Sequence, residues 1–219
     1  MYKYELINNH YIVEIEGKKY LIDTGSPISF WVSNPVMQIT IDGNAYCLHN
    51  RPANLNVGET RALVGIEVDG FIGMDIISKT GLTIYKEGCI KFGADEVNGV
   101  EIAMTTSWPL MVSIGCNMMN GKFVIDTGAR YGYGVEGLFY GLNPYDYVKD
   151  YNPGLGHLNS DIYHLDIVIG GQSRTIDVCN NKIVGSTLKH MGAIMIGSVS
   201  SLYQEVCVLD TKIGKLILK

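Results

Sequence analysis

A short pattern that occurs twice limits what this chain can fold into more than any other feature. Residues 17–25 contain a glycine, lysine, an aromatic residue, two aliphatic residues and then Asp-Thr-Gly, and residues 121–128 repeat this order. Each copy is followed by a second shared element, a pair of apolar residues ending in glycine, at residues 70–73 and 193–197. Because the same elements recur in the same order, the sequence predicts two halves with similar folds.

The segments around the two motifs have the pattern of β-strands. Apolar and polar residues alternate over residues 11–15, 37–41 and 165–169, which is the two-residue period of a half-buried strand. The Asp-Gly pair at residues 42–43 favours a tight hairpin turn. Glycine accounts for 26 of the 219 residues, above the usual share of about 7%. Helical periodicity is scarce, so the sequence predicts an all-β fold.

The repeat also predicts how the chain is divided. Each half closes with a similar apolar tail, at residues 81–92 and 206–218. We therefore predict an N-terminal lobe over residues 1–93, a connecting strand or linker over 94–108 and a C-terminal lobe over 109–219. The second half is longer between its two shared elements, and we expect the additional residues in a loop over 140–160, with one helical turn between residues 138 and 147.

Charge and composition exclude several classes of protein. The chain has 17 basic and 22 acidic residues and no basic run, which argues against a nucleic-acid partner. No apolar segment is long enough to cross a bilayer, which argues against a membrane partner. The first residues lack the basic and apolar regions of a signal peptide. The five cysteines form no Cys-x-x-Cys pair, so we expect reduced, buried thiols in a cytoplasmic protein.

The two Asp-Thr-Gly motifs, each followed by an apolar-apolar-Gly element, resemble those of the aspartic peptidases. The resemblance covers essentially the whole chain, and the short halves are closer in size to a retropepsin subunit than to a pepsin lobe. It implies a compact single-chain form of the bilobal acid-protease fold, with two small β-barrel-like lobes, a cleft between them and a hairpin flap. It implies a catalytic pair, Asp23 and Asp126. It also implies supporting loop residues, namely Thr24, Gly25, Ser26, Thr127, Gly128 and Ala129.

The chemistry of such a pair follows from its charge. Two carboxyl groups about 3 Å apart cannot both ionise at low cost, so they share one proton. The ionised carboxyl draws a proton from a water that attacks the scissile carbonyl, and the protonated carboxyl stabilises the developing oxyanion. The prediction is an aspartic endopeptidase that acts on an extended peptide or protein substrate. It needs no metal and no cofactor, and a monomer is sufficient because both motifs lie in one chain.

Two further positions bear on how such an enzyme would work. The hydroxyl of Ser26 can donate to the outer oxygen of the first carboxylate, whereas Ala129 has no hydroxyl, and this asymmetry predicts a less acidic working pH. The resemblance also implies an aromatic residue near the tip of the flap, and Tyr46, after the Asp-Gly turn, is the candidate. Phe30 stands at the spacing where pepsin-like enzymes carry a tryptophan.

Other interpretations stay open at the level of sequence. The same fold could hold an extended peptide without cleaving it, or could cleave only itself or one partner. A Gly-x-Gly-x-x-Gly pattern at residues 132–137 matches a nucleotide-binding motif, but its β surroundings favour a loop. The five histidines lack metal-ligand spacing, so we expect them to be solvated or hydrogen-bonded. The tyrosines between residues 131 and 151 could line a cleft or be ordinary half-buried residues.

Overall fold

The structure is a computed structural model of the 219-residue chain and describes residues 1–33, 38–52, 55, 57–117, 119–152 and 154–219. Most of the ordered elements are β-strands, and the described residues also contain three α-helices and two short 3-10 helices. The strands form two large sheets, one centred on each half of the chain. The predicted all-β, bilobal fold class is confirmed.

The first half contains ten strands and two helices in the described residues. In chain order these elements are β1 (Tyr2–Ile7), β2 (His10–Ile15), β3 (Lys18–Ile22), β4 (Phe30–Trp31), β5 (Gln38–Ile41), β6 (Asn44–Cys47), α1 (Val57–Val64), β7 (Gly70–Ile72), α2 (Met74–Thr80), β8 (Leu82–Tyr85), β9 (Cys89–Lys91) and β10 (Val100–Ala103). Strand β10 lies within the segment that the sequence predicts to connect the lobes.

The second half contains the remaining strands, the third α-helix and both 3-10 helices. In chain order they are β11 (Met111–Cys116), β12 (Met119–Ile125), β13 (Gly132–Gly134), η1 (Glu136–Phe139), β14 (Asp146–Asn152), β15 (Gly156–Ile169), β16 (Gln172–Asn180), α3 (Lys182–His190), β17 (Met195–Gly197), η2 (Val199–Ser201), β18 (Val206–Asp210) and β19 (Lys215–Leu218). The side chain of Asn181 caps α3 by accepting from the backbone N–H groups of Ile183 and Val184.

The last two strands of the chain belong to the sheet of the first half. The ten-stranded sheet has the order β10-β19-β18-β8-β9-β1-β2-β3-β7-β4, and the seven-stranded sheet has the order β11-β12-β17-β13-β16-β15-β14. Pairing of β11 with β15 closes six strands of the second sheet on themselves and leaves β14 outside. Because β18 and β19 lie in the sheet of the first half, the two halves share a continuous set of backbone hydrogen bonds.

Each Asp-Thr-Gly motif follows the end of a buried strand. Strands β3 and β12 pair in parallel with β7 and β17, respectively. In these pairs the N–H of Asp23 donates to the carbonyl of Ile72 at 2.9 Å, and the N–H of Asp126 donates to that of Gly197 at 2.9 Å. Both carboxyls are therefore presented at strand ends. The pairing makes Gly197 equivalent to Ile72 and not to Gly73, one residue away from the alignment that the repeat suggests.

Two parts of the predicted secondary structure are wrong. Residues 140–160 do not form a loop, because most of them belong to the β14–β15 hairpin, in which Asn152 pairs with Gly156. Most of β14 is exposed or half-buried on both faces, so its sequence lacks the alternation that identifies a strand. The helical turn expected between residues 138 and 147 occurs earlier, as η1. The three α-helices, of seven to nine residues, are too short to show a periodic pattern.

The cysteines are mostly part of the core. All five are free; three are buried, Cys89 is half-buried and Cys47 is exposed, so the expectation of buried thiols is wrong for Cys47. Burial raises the pKa of the Cys179 thiol to about 12, which keeps it protonated and unreactive at neutral pH. In the described part of the chain no helix has the length and apolar character needed to span a membrane.

Candidate active site

The two Asp-Thr-Gly loops meet at the interface between the halves. A Cβ atom added at Gly25 would lie 2.4 Å from Cγ of Asp126, and one added at Gly128 would lie 2.5 Å from Cγ of Asp23. No side chain fits at such a distance, so each loop needs glycine to let the opposite carboxyl approach. The two aspartates singled out by the sequence are therefore brought together.

Thr24 and Thr127 link the two loops in the interior of the protein, where both are fully buried. The Thr24 N–H donates to Oγ1 of Thr127 at 3.0 Å, and the Thr127 N–H donates to Oγ1 of Thr24 at 3.0 Å. Each hydroxyl also donates to the opposite strand, Thr24 to the carbonyl of Ile125 at 2.9 Å and Thr127 to that of Ile22 at 2.8 Å. A fully satisfied buried network of this kind holds the loops rigidly.

Backbone N–H groups hold the two carboxyls from within their own loops. Oδ1 of Asp23 accepts from Gly25 at 2.9 Å and from Ser26 at 3.0 Å, and Oδ1 of Asp126 accepts from Gly128 at 2.9 Å. Hydrogen bonds to a carboxylate favour its ionised form. They therefore lower the pKa of both carboxyls, whereas burial raises it.

Of the two carboxyls, Asp23 has the more strongly raised pKa. Burial raises the pKa of both carboxyls above the ordinary value of 3.8, and the like charge of Asp126 raises the pKa of Asp23 further. The hydrogen bond between the two side chains raises the pKa of Asp23 and lowers that of Asp126. Two coupled carboxyls of this kind share one proton, and the more strongly raised pKa of Asp23 favours that residue as its holder, so the pair can act as acid and base together.

The hydroxyl of Ser26 has a different partner from the predicted one. It donates to the carbonyl of Ile28 at 2.7 Å, two residues further along the same turn, and not to the carboxyl of Asp23. Ser26 supports Asp23 through its backbone N–H alone, which Ala129 could equally supply. The predicted effect of the Ser26 and Ala129 difference on the working pH therefore loses its basis, and burial of the pair remains as the cause of the raised pKa values.

A cavity of about 330 Å³ opens beside both aspartates. Its wall in the first half is apolar, formed by Pro27, Phe30, Pro52, Leu55, Leu63 and Phe71. The rings of Phe30 and Phe71 stack with their centroids 4.7 Å apart. An apolar side chain of a ligand would be removed from water against this wall, which favours its binding.

The β14–β15 hairpin covers this cavity from the second half. Asn152 and Gly154, at the turn of the hairpin, line the cavity together with both aspartates. Next to the turn, the hydroxyl of Tyr151 donates to Oε2 of Glu59 in α1 at 3.0 Å. The hairpin thus reaches across the cavity and is attached to the first half.

Tyr46, the residue predicted near the tip of a flap, is not among the residues that line this cavity. Its hairpin, β5–β6, packs on the protein core instead, because Ile39 and Ile41 are buried there and Tyr46 is half-buried against the same cluster. An Asp-Gly turn identifies a hairpin but does not determine what the hairpin covers. In the structure the β14–β15 hairpin, and not the β5–β6 hairpin, contributes residues to this cavity.

Replacing Tyr151 by Phe should loosen the β14–β15 hairpin over the cavity. The variant keeps the ring but loses the hydroxyl that donates to Glu59 in the other half. One hydrogen bond contributes about 0.5–1.5 kcal/mol, so amide hydrogen exchange of residues 146–162 should become about two- to tenfold faster. Exchange is measured by mass spectrometry, with strands β11 and β12 as the internal control. Unchanged exchange in the hairpin would show that this bond does not hold it.

A smaller cavity of about 80 Å³ also borders Asp126, and its lining includes charged side chains and tyrosines. Arg130 and Asp150 contribute to it, and the hydroxyl of Tyr133 donates to Oδ2 of Asp150 at 2.7 Å. Burial raises the pKa of Tyr133, so its phenol stays protonated. Three of the tyrosines between residues 131 and 151 line this cavity, namely Tyr131, Tyr133 and Tyr151. Tyr140 is exposed, so the tyrosines of this segment do not share one role.

Trp108 contacts the first loop although the sequence places it in the linker. Its Nε1–H donates to the carbonyl of Gly25 at 3.0 Å, while 46% of the residue stays exposed. The two residues are 83 positions apart, and the linker has no periodic pattern. No signal in the sequence predicts this contact.

The histidines and cysteines form no metal site in the residues that the structure describes, since no three side chains of His, Cys, Asp or Glu are grouped to hold an ion. His164 contacts the carboxyl of Asp177 at 2.7 Å and His190 contacts the carbonyl of Ser186 at 2.8 Å. His10 is hydrogen-bonded through one nitrogen only, since its Nδ1 lies 3.2 Å from the carbonyl of Ile7. It is fully buried, and its Nε2 has no hydrogen-bond partner among the described residues.

Comparisons with known proteins give only partial likenesses. No protein-family model and no curated protein matches the chain. The solution structure of Simian Foamy Virus (mac) protease is similar over 42% of this chain and 90% of its own, with 14% sequence identity and a TM-score of 0.33. A foamy viral protease-reverse transcriptase in complex with an RNA/DNA hybrid is similar over 49% of this chain and 12% of its own, with 13% identity and a TM-score of 0.33. These values assign no family to the chain.

Proposed function

We propose that this chain is an aspartic endopeptidase. The proposed catalytic pair is Asp23 and Asp126, and the supporting loop residues are Thr24, Gly25, Ser26, Thr127, Gly128 and Ala129. One observation carries the proposal: two buried aspartates from opposite halves, both with raised pKa values, meet beside one cavity. Strongly perturbed carboxyl groups in a cavity are typical of catalytic acids and bases.

The placement of the shared proton assigns the two roles. Asp126, the ionised carboxyl, accepts a proton from a water molecule as the water oxygen attacks the carbonyl carbon of the scissile peptide bond. Asp23 donates its proton to the carbonyl oxygen, where negative charge develops. When the C–N bond breaks, the proton on Asp126 passes to the leaving nitrogen, and Asp23 recovers its own proton from the collapsing intermediate. The pair ends with one proton, as it began.

The shape of the cavity supports an extended peptide or protein as the substrate. The apolar wall with Phe30 and Phe71 suits a large apolar side chain next to the cleaved bond. Because the β14–β15 hairpin crosses the cavity, the substrate segment has to be extended to lie beneath it. A monomer suffices for this chemistry since one chain supplies both loops, and the proposal involves no metal, cofactor, nucleic acid or membrane.

A cleavage profile on a mixed peptide library tests the proposal. Wild type and the Asp126→Asn variant are incubated side by side between about pH 3 and 7, and products are identified by mass spectrometry. A third arm contains a statine-type transition-state analogue. We expect cuts only in the wild type, blocked by the analogue and flanked by a large apolar residue.

Each other outcome has a defined meaning. Binding of the analogue without cuts in the library would point to an enzyme that cleaves itself or one partner. Peptide capture without cleavage, unchanged in the Asp126→Asn variant, would overturn the proposal in favour of a peptide-binding module. Equal cleavage by wild type and variant would overturn the assignment of the catalytic pair.

The rate of cleavage should depend on pH with a bell shape displaced upward from that of ordinary carboxyls. Activity requires one proton on the pair, so it falls on the acid side when Asp126 is protonated and on the alkaline side when Asp23 ionises. Burial raises the pKa of both groups above 3.8, so the acid limb and the alkaline limb of the pH profile both move to higher pH. The check is kcat/KM measured from pH 3 to 8, and an optimum below about pH 3 would contradict the raised pKa values.

A further inference from the structure

The glycine carbonyls of the two catalytic loops have different neighbours. The carbonyl of Gly25, in the first loop, accepts a hydrogen bond from the indole of Trp108 at 3.0 Å. The carbonyl of Gly128, in the second loop, lies beside the imidazole of His10. An indole N–H is a donor at every pH, whereas an imidazole gains its second N–H only when it is protonated. The side chain beside the first loop therefore cannot titrate in this way, whereas the side chain beside the second loop can.

His10 lacks one hydrogen bond in its neutral form. The ring is fully buried at the start of β2, and Nδ1 lies 3.2 Å from the carbonyl of Ile7. Nε2 is the nitrogen without a hydrogen-bond partner among the described residues. A neutral imidazole has one N–H, so a ring with a carbonyl beside each nitrogen can donate to only one of them. A buried polar atom left without a partner is costly, which points to a second state of this ring.

The turn that carries His10 already holds the second loop by another bond. Asn8 and Asn9 form this turn between β1 and β2, with φ angles of 50° and 65° in the left-handed region that asparagine tolerates. The side-chain amide of Asn9 donates to the carbonyl of Arg130 at 2.9 Å. The turn therefore holds the second loop at the carbonyl of Arg130, two residues after Gly128.

We propose that His10 is a positioning residue for the second loop: in its imidazolium form it donates from Nε2 to the carbonyl of Gly128 and fixes the loop that carries Asp126. In the neutral form that donates its single N–H from Nδ1 to the carbonyl of Ile7, Nε2 has no hydrogen to donate, and the bond from Asn9 to Arg130 continues to hold the loop. The expected effect on cleavage rests on the proposed function, whereas the titration of the contact does not.

The surroundings of the ring place the protonation of His10 on the acid side of neutrality. Burial lowers the pKa of His10 below its ordinary value of 6.5, while the carbonyls of Ile7 and Gly128 raise it. The charged groups that face the ring are Asp150 of β14, which favours the imidazolium, and Arg130 of the loop, which opposes it. Since burial is the largest of these effects, the second loop should be held most firmly at acidic pH, where the proposed peptidase would work.

A nuclear magnetic resonance titration of the full chain tests the contact without any assay of activity. The ring nitrogens of His10 and the backbone carbonyl carbon of Gly128 are followed from pH 4 to 8. We expect both to titrate with one midpoint below 6.5. In the His10→Gln variant, which keeps a donor but cannot titrate, this midpoint should disappear from Gly128, while the titration of the aspartates remains. A His10 ring that stays neutral throughout, or titrates without changing Gly128, would overturn the proposal.

Kinetics of cleavage provide the second readout. The His10→Phe variant keeps a flat ring without a donor, and its kcat should be about three- to tenfold below wild type at pH 4–5, approaching wild type at pH 7. Its KM should change little. In the matched variant of the other loop, Trp108→Phe, any loss should be the same at every pH. A loss of equal size at every pH in His10→Phe would indicate a merely structural role. If no peptide is cleaved by the wild type, the proposed function fails, and the titration still decides the role of His10.

Discussion

Replacing Asp126 by Asn should lower kcat/KM for peptide cleavage by about a thousandfold or more, while the chain keeps its fold. The amide has nearly the same shape as the carboxyl but cannot accept the proton of the attacking water. The pKa of Asp126 is raised less than that of Asp23, so we assign Asp126 as the base, and the variant removes that base directly. The measurement is cleavage of the best library peptide, together with thermal unfolding of the variant.

The same variant should be more stable than the wild type at neutral pH. A carboxyl whose pKa is raised on folding contributes stability below its unfolded pKa and loses that contribution as the pH rises through the folded pKa. The amide introduced by Asp126→Asn cannot ionise, so the melting temperature of this variant relative to wild type should be higher at pH 7 than at pH 4. The control is Asp166→Asn, because this aspartate is exposed on β15 and lines neither cavity beside the pair. It should change neither the rate of cleavage nor the difference in melting temperature between pH 7 and pH 4. Near-wild-type cleavage by Asp126→Asn would refute the assignment.

Replacing Thr24 by Val should lower the free energy of unfolding by about 2–4 kcal/mol. Valine fills the same space but removes a hydroxyl that donates to Ile125 and accepts from Thr127, leaving a buried carbonyl and a buried N–H without partners. Both lost bonds connect opposite halves of the chain. Urea unfolding followed by fluorescence of the two tryptophans measures the change.

The matched control for this effect is Thr24→Ser, which keeps the hydroxyl and loses only a methyl group. It should lose clearly less stability than Thr24→Val. Thr127→Val should behave like Thr24→Val, because the four hydrogen bonds are arranged symmetrically around the two threonines. Equal unfolding midpoints for the valine and serine variants would show that the hydroxyl network does not stabilise the junction of the halves.

Much of the fold could be predicted because the sequence patterns that indicate it are local. Alternating strands and glycine turns are visible within five to ten residues, and they indicated a β protein with two similar halves. The Asp-Thr-Gly motifs were recognisable for the same reason: a buried strand, an acid and a glycine follow one another directly. That Gly25 and Gly128 each face the opposite carboxyl agrees with the need for glycine in both motifs.

The cover of the cavity could not be predicted from the sequence. Strand β14 has little burial on either face, so neither strand alternation nor helical periodicity marks it, and a Gly-, Asn- and Pro-rich segment gives the pattern of a loop. The β5–β6 hairpin has a clear Asp-Gly turn and was the better candidate, but its isoleucines are needed in the core. The orientation of the Ser26 hydroxyl was equally undetermined, because two acceptors lie within reach of one turn.

The sequence by itself therefore determined the class of fold, the two aspartates, and the threonines and glycines beside them, since each of these depends on neighbours within a few residues along the chain. Only the tertiary structure decided which hairpin lies over the aspartates, how deeply the aspartates are buried, and which side chains support the loops. Trp108 and Gly25 are 83 residues apart, and Asn9 and Arg130 are 121 residues apart. Contacts at such separations arise from the packing of the two halves, and no local pattern encodes them.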